Sequence, residues 1–170
     1  MEIQRPEFKK EIETSIRNNP VTAILGPRQC GKTTLARTIT QSRESNIFDL
    51  EDPADFSLLS ETPKIILQQQ KGLVMLDEIQ RIPELFPLLR VFADESDSQR
   101  KFLILGSASP GLVQKSSESL AGRIGFVNLT GFNLHEVGVE NMEKLWLHGG
   151  FPRSFLGTDE KQSFSWRENF

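Results

Sequence analysis

"VTAILGPRQCGKTT", residues 21–34, runs an apolar stretch into a glycine-rich turn and then into a lysine and two hydroxyls. The apolar part reads as a short buried strand. "GKTTLARTITQS" reads as a helix, with Leu35 and Ile39 four apart on one face. At the junction, Gly26, Gly31, Lys32 and Thr33 match G-x-x-x-x-G-K-[ST]. The two glycines let the backbone turn with positive φ and approach a ligand closely. Backbone N–H groups then converge into a nest for an anion, and the positive end of the following helix adds to it. Lys32 supplies a point charge for terminal phosphates, and Thr33 a hydroxyl ligand for Mg2+. Gly26, Pro27, Arg28, Gln29, Cys30, Gly31, Lys32, Thr33 and Thr34 together form the expected phosphate cradle. A plain glycine-rich turn is the bland alternative, and the strand before it and helix after it weigh against that. Cys30 reads mainly as a small filler, with a redox-sensing thiol beside Lys32 as the lesser alternative.

Outward from the loop, strand-like and helix-like stretches alternate. "SNIFDLE", "KGLVMLDE", "RKFLILGSAS" and "RIGFVNLTG" read as four more strands. "DPADFSLLS" opens a helix with Asp52 as N-cap and Pro53 at the first position, and "TPKIILQQQ" repeats the signal with Thr62 and Pro63. "PELFPLLRVFADES", residues 83–96, reads as a helix opened by Pro83, and "SSESLAG" as a short helix closed by Gly122. "NLHEV" and "NMEKLWLHGG" are helical, the second ended by Gly149 and Gly150. Apolar strands alternating with helices predict an α/β fold: a parallel sheet covered on both faces, with its binding site at the carboxyl ends of the strands. The expected organisation is a helical lead-in over residues 1–20, a core over 21–140 and a helical segment over 141–170.

"LVMLDE" places Asp77 at the carboxyl end of its strand, level with the loop, where it can hold Mg2+. Glu78 beside it can take a proton from an attacking water, which points to hydrolysis. "FLILGSAS" puts Ser107 near the phosphates if its strand lies between the first and third, where it can touch the γ-phosphate or orient the water. Arg123 ends "ESLAGR" and can reach its own nucleotide or that of a neighbouring subunit, so a homo-oligomer is an open partner. An exposed arginine after a helix cap is the equal alternative. Arg28 and Arg81 read as solvated or partner-facing. "DLED" reads as cap and solvated loop, with a water-activating Glu51 as the minor alternative. His135 and His148 stand thirteen apart and show no metal spacing.

The chain has 170 residues, which suits one domain. Net charge is −3, so no global positive field points to nucleic acid. One cysteine excludes an internal disulfide and fits a reducing compartment. The apolar runs are too short to span a bilayer, and "MEIQRPEFKK" lacks a signal-peptide core; cytoplasm is the expected location. "KQSFSWRENF" carries three aromatics at helical spacing and reads as a chain cut in or just after a helix.

Together, "GPRQCGKTTLA", "LVMLDEIQRIPELFPLLR", "FLILGSAS", "SLAGRIGFVNLTGFNLHE" and "HGGFP" resemble the ATPase domain of a prokaryotic AAA+-type family often paired with a DUF4143 domain. The resemblance implies a P-loop NTPase three-layer αβα sandwich whose five-stranded sheet has the order 5-1-4-3-2. It implies ATP and Mg2+ as ligands, Lys32 and Thr33 as Walker A residues, and Asp77 and Glu78 as Walker B residues. Ser107 takes the sensor-1 position and Arg123 the arginine-finger position. "GGFP" resembles the G-x-P element of related switch ATPases. Such proteins usually continue into a nuclease-like domain.

Other classes fit less well. A GTPase needs a glycine three residues after the metal aspartate, where this chain has Gln80, and a base-reading Asn-Lys-x-Asp that "NMEK" does not supply. A small-molecule kinase rarely sets Glu78 beside Asp77. A nucleotide-gated scaffold that hydrolyses little is the serious rival, with DNA an open partner of a longer protein.

Overall fold

A computed structural model of the chain describes residues 3–95 and 100–170. Five parallel strands, β1 Val21–Gly26, β2 Ser45–Asp49, β3 Leu73–Asp77, β4 Lys101–Ser107 and β5 Ile124–Asn128, form one sheet in the order β2-β3-β4-β1-β5. Read from the other edge this is 5-1-4-3-2, as expected. Every residue of β1 and of β3 is buried, which is why both read as continuous apolar runs.

Among the described residues the helices are α1 Pro6–Asn18, α2 Lys32–Thr40, α3 Pro53–Glu61, α4 Pro63–Gln69, α5 Leu85–Ala93, α6 Pro110–Ser119, α7 Leu134–Val137, α8 Met142–His148, α9 Pro152–Phe155 and α10 Glu160–Glu168. Alternation along the strands splits the core in two. On one face Ala23, Leu25, Val74, Leu76, Phe102 and Ile104 pack under α3, α4 and α5 through Leu59, Leu67, Leu85, Phe86 and Leu89. On the other, Ile24, Met75, Leu103, Leu105 and Val127 pack under α1 and α2 through Ile12, Ile16, Leu35 and Ile39. The result is a three-layer αβα sandwich, with a helical C-terminal part.

The helix starts and ends depart from the sequence expectation at three places. Asp52 caps α3, its carboxylate accepting from the Ala54 N–H at 2.7 Å, whereas the Thr62 side chain makes no cap bond to α4. Pro83 does not open α5: the Phe86 N–H donates to the Pro83 carbonyl, and the helix begins two residues later at Leu85. The expected end of that helix, Ser96, lies outside the described residues. α6 begins at Pro110, well before "SSESLAG", and ends at Ser119; Gly122, at φ 74, lies in the turn that leads into β5.

Candidate functional site

Register gathers the site at one end of the sheet. β1 runs into the loop at Gly26, and Gly26 stands opposite Ser107 at the end of β4. β3 ends at Asp77, opposite Asp49 of β2. The positions picked from sequence as strand ends, the loop, Asp77 and Ser107, therefore converge.

The two loop glycines serve different ends. Gly31 adopts φ 96, a left-handed conformation that glycine takes without steric cost. Gly26 does not have positive φ, contrary to the expectation. A Cβ there would lie 2.2 Å from the Leu129 carbonyl oxygen, so this glycine is required for close backbone approach. The second left-handed residue of the loop is Gln29, at φ 60. Pro27, Arg28 and Gln29 form an exposed crest, while Cys30 is fully buried. Burial pushes the Cys30 thiol above its ordinary range despite the positive charges of Lys32 and Arg5. That makes it a packing residue and argues against a reactive thiol.

Lys32 is 5% exposed. Its Nζ donates to the carbonyls of Gly26, at 3.1 Å, and Pro27, at 2.9 Å. An ammonium has three donors, so these two bonds aim the amine into the loop and leave one donor for an incoming oxyanion. Thr33, one residue on, donates its hydroxyl to Asp77 Oδ2 at 2.7 Å. Asp77 is 3% exposed, and its Oδ1 accepts from the Glu78 N–H at 3.0 Å. Burial pushes the Asp77 carboxyl above its ordinary range; the Thr33 hydrogen bond opposes this, and the charges of Glu78 and Asp49 reinforce it. The Asp77 carboxylate and the Thr33 hydroxyl are a pair of hard oxygen donors of the kind Mg2+ takes, and among the described residues no group of three His, Cys, Asp or Glu side chains gathers into a fuller metal site.

Asp77 holds its proton more tightly folded than unfolded, so its contribution to stability is present in acid and lost as pH rises through the raised value. At neutral pH Asp77→Asn, which keeps both hydrogen-bond contacts with a neutral group, should melt at or above the wild-type temperature without ligand. It should also lose the gain in melting temperature that Mg2+ with ATP gives the wild type. Thermal melts with and without Mg2+ and ATP measure both effects.

Glu78 follows at φ 54 and ψ 46, a left-handed conformation costing a non-glycine residue about 1–2 kcal/mol. A 3-10 turn, Ile79–Arg81, fixes this corner, and the Gln80 Nε2 donates to Glu78 Oε2. The exposed Glu51 N–H donates to Asp49 Oδ1, in keeping with a loop role. Arg81 lies over the Phe56 ring at 5.3 Å. His135 is exposed; His148 is buried, its Nδ1 3.3 Å from the Ser154 carbonyl.

Arg123 is not brought to the loop. Its carbonyl accepts from the Val21 N–H, at the start of β1. Five residue steps of about 3.3 Å each put it roughly 16 Å from Gly26. Its guanidinium pairs with Asp94 at 2.5 Å, and this pairing holds the Asp94 carboxyl below its ordinary range. Reach to its own chain's nucleotide is therefore corrected: strand starts lie at the far end of a parallel sheet.

Two residues at the site escaped the sequence reading. Arg5, ahead of α1, is 7% exposed, and all five of its N–H donors are used. Nε and Nη2 bond Glu136 at 2.5 and 3.2 Å. Nη1 bonds the Cys30 and Thr130 carbonyls at 3.2 and 3.0 Å, and Nη2 the Gly131 carbonyl at 3.2 Å. One side chain thus ties the lead-in to the phosphate loop and to the segment after β5. Beside it opens a cleft of about 720 Å3, lined by Ile3, Pro6, Glu136, Lys144 and Phe155 among others. The other is Trp166 of α10, whose Nε1 donates to Gln29 Oε1 at 3.2 Å. Pro152 of "GGFP" lies 3.8 Å from the place a Gly31 Cβ would take. The C-terminal helices therefore rest on the loop. Nothing in local spacing marked Arg5; the aromatics of "KQSFSWRENF" were visible, but not what they touch.

Residues 18–138 match a protein family described as an AAA domain. The chain is 43% identical over 170 residues to an uncharacterized protein of Mycobacterium tuberculosis and to one of Mycobacterium bovis. The match takes in all of this chain and 38% of the length of each relative. Among solved structures, a Walker-type ATPase of Pyrococcus abyssi superposes with a TM-score of 0.65 at 19% identity, over 96% of this chain and 71% of the other. The Holliday junction branch migration motor RuvB of Thermotoga maritima superposes with a TM-score of 0.51 at 20% identity, over 85% of this chain and 51% of the other. At these identities the likeness is one of fold. Among the described residues no helix is long and apolar enough to cross a membrane.

Proposed function

The chain belongs to the AAA-domain family, and on that premise we propose that it binds ATP with Mg2+ and hydrolyses it, slowly when alone, to drive or gate a further domain. The contact that carries this reading is Thr33 Oγ1 to Asp77 Oδ2 at 2.7 Å, with Lys32 aimed into the loop and Glu78 next in the chain. The nest of loop N–H groups and the start of α2 receive the phosphates, and the free Lys32 donor meets the terminal ones. Thr33 and Asp77 would hold Mg2+, which neutralises phosphate charge when bound. Glu78 accepts the proton of a water whose oxygen attacks the γ-phosphorus, and the bond to the bridging oxygen of ADP breaks. Ser107, level with Gly26, orients that water. The direct test is phosphate release by the chain with Mg2+ and with a chelator; release that is unaffected by the chelator contradicts the reading.

One observation favours slow turnover and the switch-like reading. Arg123 itself stays just ahead of β5, paired with Asp94 and away from the loop of its own chain. We assign Arg123 a role in trans, at a neighbouring copy's nucleotide, since its pair with Asp94 is exposed and readily exchanged. Specific activity should then rise with protein concentration, and Arg123→Ala should lower it by roughly 10³-fold where assembly occurs. Mixing Arg123→Ala with Glu78→Gln should recover activity, one chain lending its arginine to the other's intact base. Flat specific activity with no recovery would leave Arg123 a surface residue.

The further domain rests on the relatives' greater length and on the resemblance to proteins that carry a DUF4143 domain. Action with DNA in a longer protein and a cytoplasmic location are parts of the same proposal.

A further inference from the structure

We infer that Gln80 is a positioning residue for hydrolysis: its amide N–H holds the Glu78 carboxylate, and its amide oxygen is the acceptor for the attacking water. This rests on the reading of Glu78 as the base. Three observations meet at this side chain. The Gln80 Nε2 donates to Glu78 Oε2. The Gln80 Oε1 is buried, and no protein group donates to it. The corner between them is rigid, with Ile79 fully buried, the Arg81 N–H donating to the Glu78 carbonyl at 3.0 Å, and Glu78 itself at positive φ.

The orientation of the amide follows from the chemistry of the pair. An ionised carboxylate is acceptor-only. Turning the amide over would set two acceptors against each other, so the N–H side must face Glu78. The oxygen is then left inside without a donor, a costly state for a buried acceptor. A water molecule beside Glu78 removes that cost, because one O–H can point to Gln80 Oε1 and the other to the Glu78 carboxylate. With both hydrogens placed, a lone pair on the water oxygen is left free for phosphorus. Gln80 therefore acts at both ends of the proton transfer: it limits where the carboxylate can swing and fixes the water it serves. A glutamine two residues after the base can do this only because the left-handed turn at Glu78 folds the chain back on itself.

The test is single-turnover ATP hydrolysis and Mg2+-dependent ATP titration on this chain, for wild type, Glu78→Gln, Gln80→Met and Gln80→His. Methionine keeps the length and bulk of glutamine without its polar atoms. Gln80→Met should lower the hydrolysis rate constant by roughly 10–100-fold, the scale for a misplaced reacting group, with the ATP dissociation constant and the melting temperature unchanged. Histidine, with one ring donor and one ring acceptor, should restore part of the rate. A Gln80→Met rate equal to or above wild type, with Glu78→Gln inactive, overturns the role of Gln80 and leaves Glu78 as the base. Loss of ATP affinity and of melting temperature in parallel with the rate would make Gln80 a structural residue and overturn it as well. Wild-type hydrolysis by Glu78→Gln removes the base itself, and Gln80's role with it.

Discussion

Glu78→Gln is expected to bind ATP as tightly as wild type and to lose turnover by on the order of 10²-fold or more, the usual scale for a missing general base. The two side chains have nearly the same shape, so the left-handed backbone at Glu78 and the 3-10 turn after it are retained. What changes is the ability to accept a proton. Binding should be untouched because the proposed phosphate contacts lie elsewhere, at Lys32 and the loop N–H groups, with Mg2+ proposed at Thr33 and Asp77. Equilibrium ATP titration and a phosphate-release assay on the same preparation separate the two effects. Equal turnover in mutant and wild type would remove Glu78 from the chemistry.

Arg5→Ala is expected to destabilise the fold by about 3–5 kcal/mol, the range for breaking a buried ion pair from one side. Both side chains are 5% exposed. Truncation leaves the Glu136 carboxylate buried, still accepting from the Asn133 N–H but without its cation. It also strands the carbonyls of Cys30, Thr130 and Gly131. For a chain of this size each kcal/mol corresponds to a fall in melting temperature of about 2–4 °C. Arg5→Lys should recover little, because one ammonium with three donors cannot fork onto a carboxylate and three carbonyls at once. Replacing Glu136 as well should recover part of the loss by removing the unpaired charge. ATP affinity should fall alongside stability, since Cys30 belongs to the phosphate loop. Denaturant titration of the three variants decides the matter, and a change below about 1 kcal/mol for Arg5→Ala would show the pair to be of the weak surface kind.

The contrast between Arg5 and Arg123 shows which features could be read from sequence. Strand ends are legible, because a buried parallel strand is an apolar run and the first polar residue after it marks the carboxyl end. Asp77 and Ser107 follow that rule: the sheet sets Ser107 opposite Gly26, and Asp77 at the same end, one residue past Leu76, which stands opposite Ile104. The same rule applied to Arg123 would have placed it at the far end, since it precedes β5. Its arginine-finger position came from resemblance, and the pair with Asp94 shows where the side chain lies within one chain. Arg5 was not legible for a different reason. Its partners at Cys30, Thr130, Gly131 and Glu136 are 25 to 131 residues away, and a lone arginine before a proline reads as exposed. At Gly26 the expected positive φ gives way to a different requirement: a carbonyl from the segment after β5 leaves no room for a Cβ, and that contact too is remote in sequence.

The central claim, that residues 26–34 are a working phosphate cradle, is tested most directly by titrating ATP with Mg2+ into wild type and Lys32→Ala in a calorimeter. A hydrogen bond from a charged group contributes about 1.5–3 kcal/mol, so the mutant should bind roughly 10- to 100-fold more weakly while keeping its circular dichroism spectrum. Equal affinity in the two proteins would contradict the account.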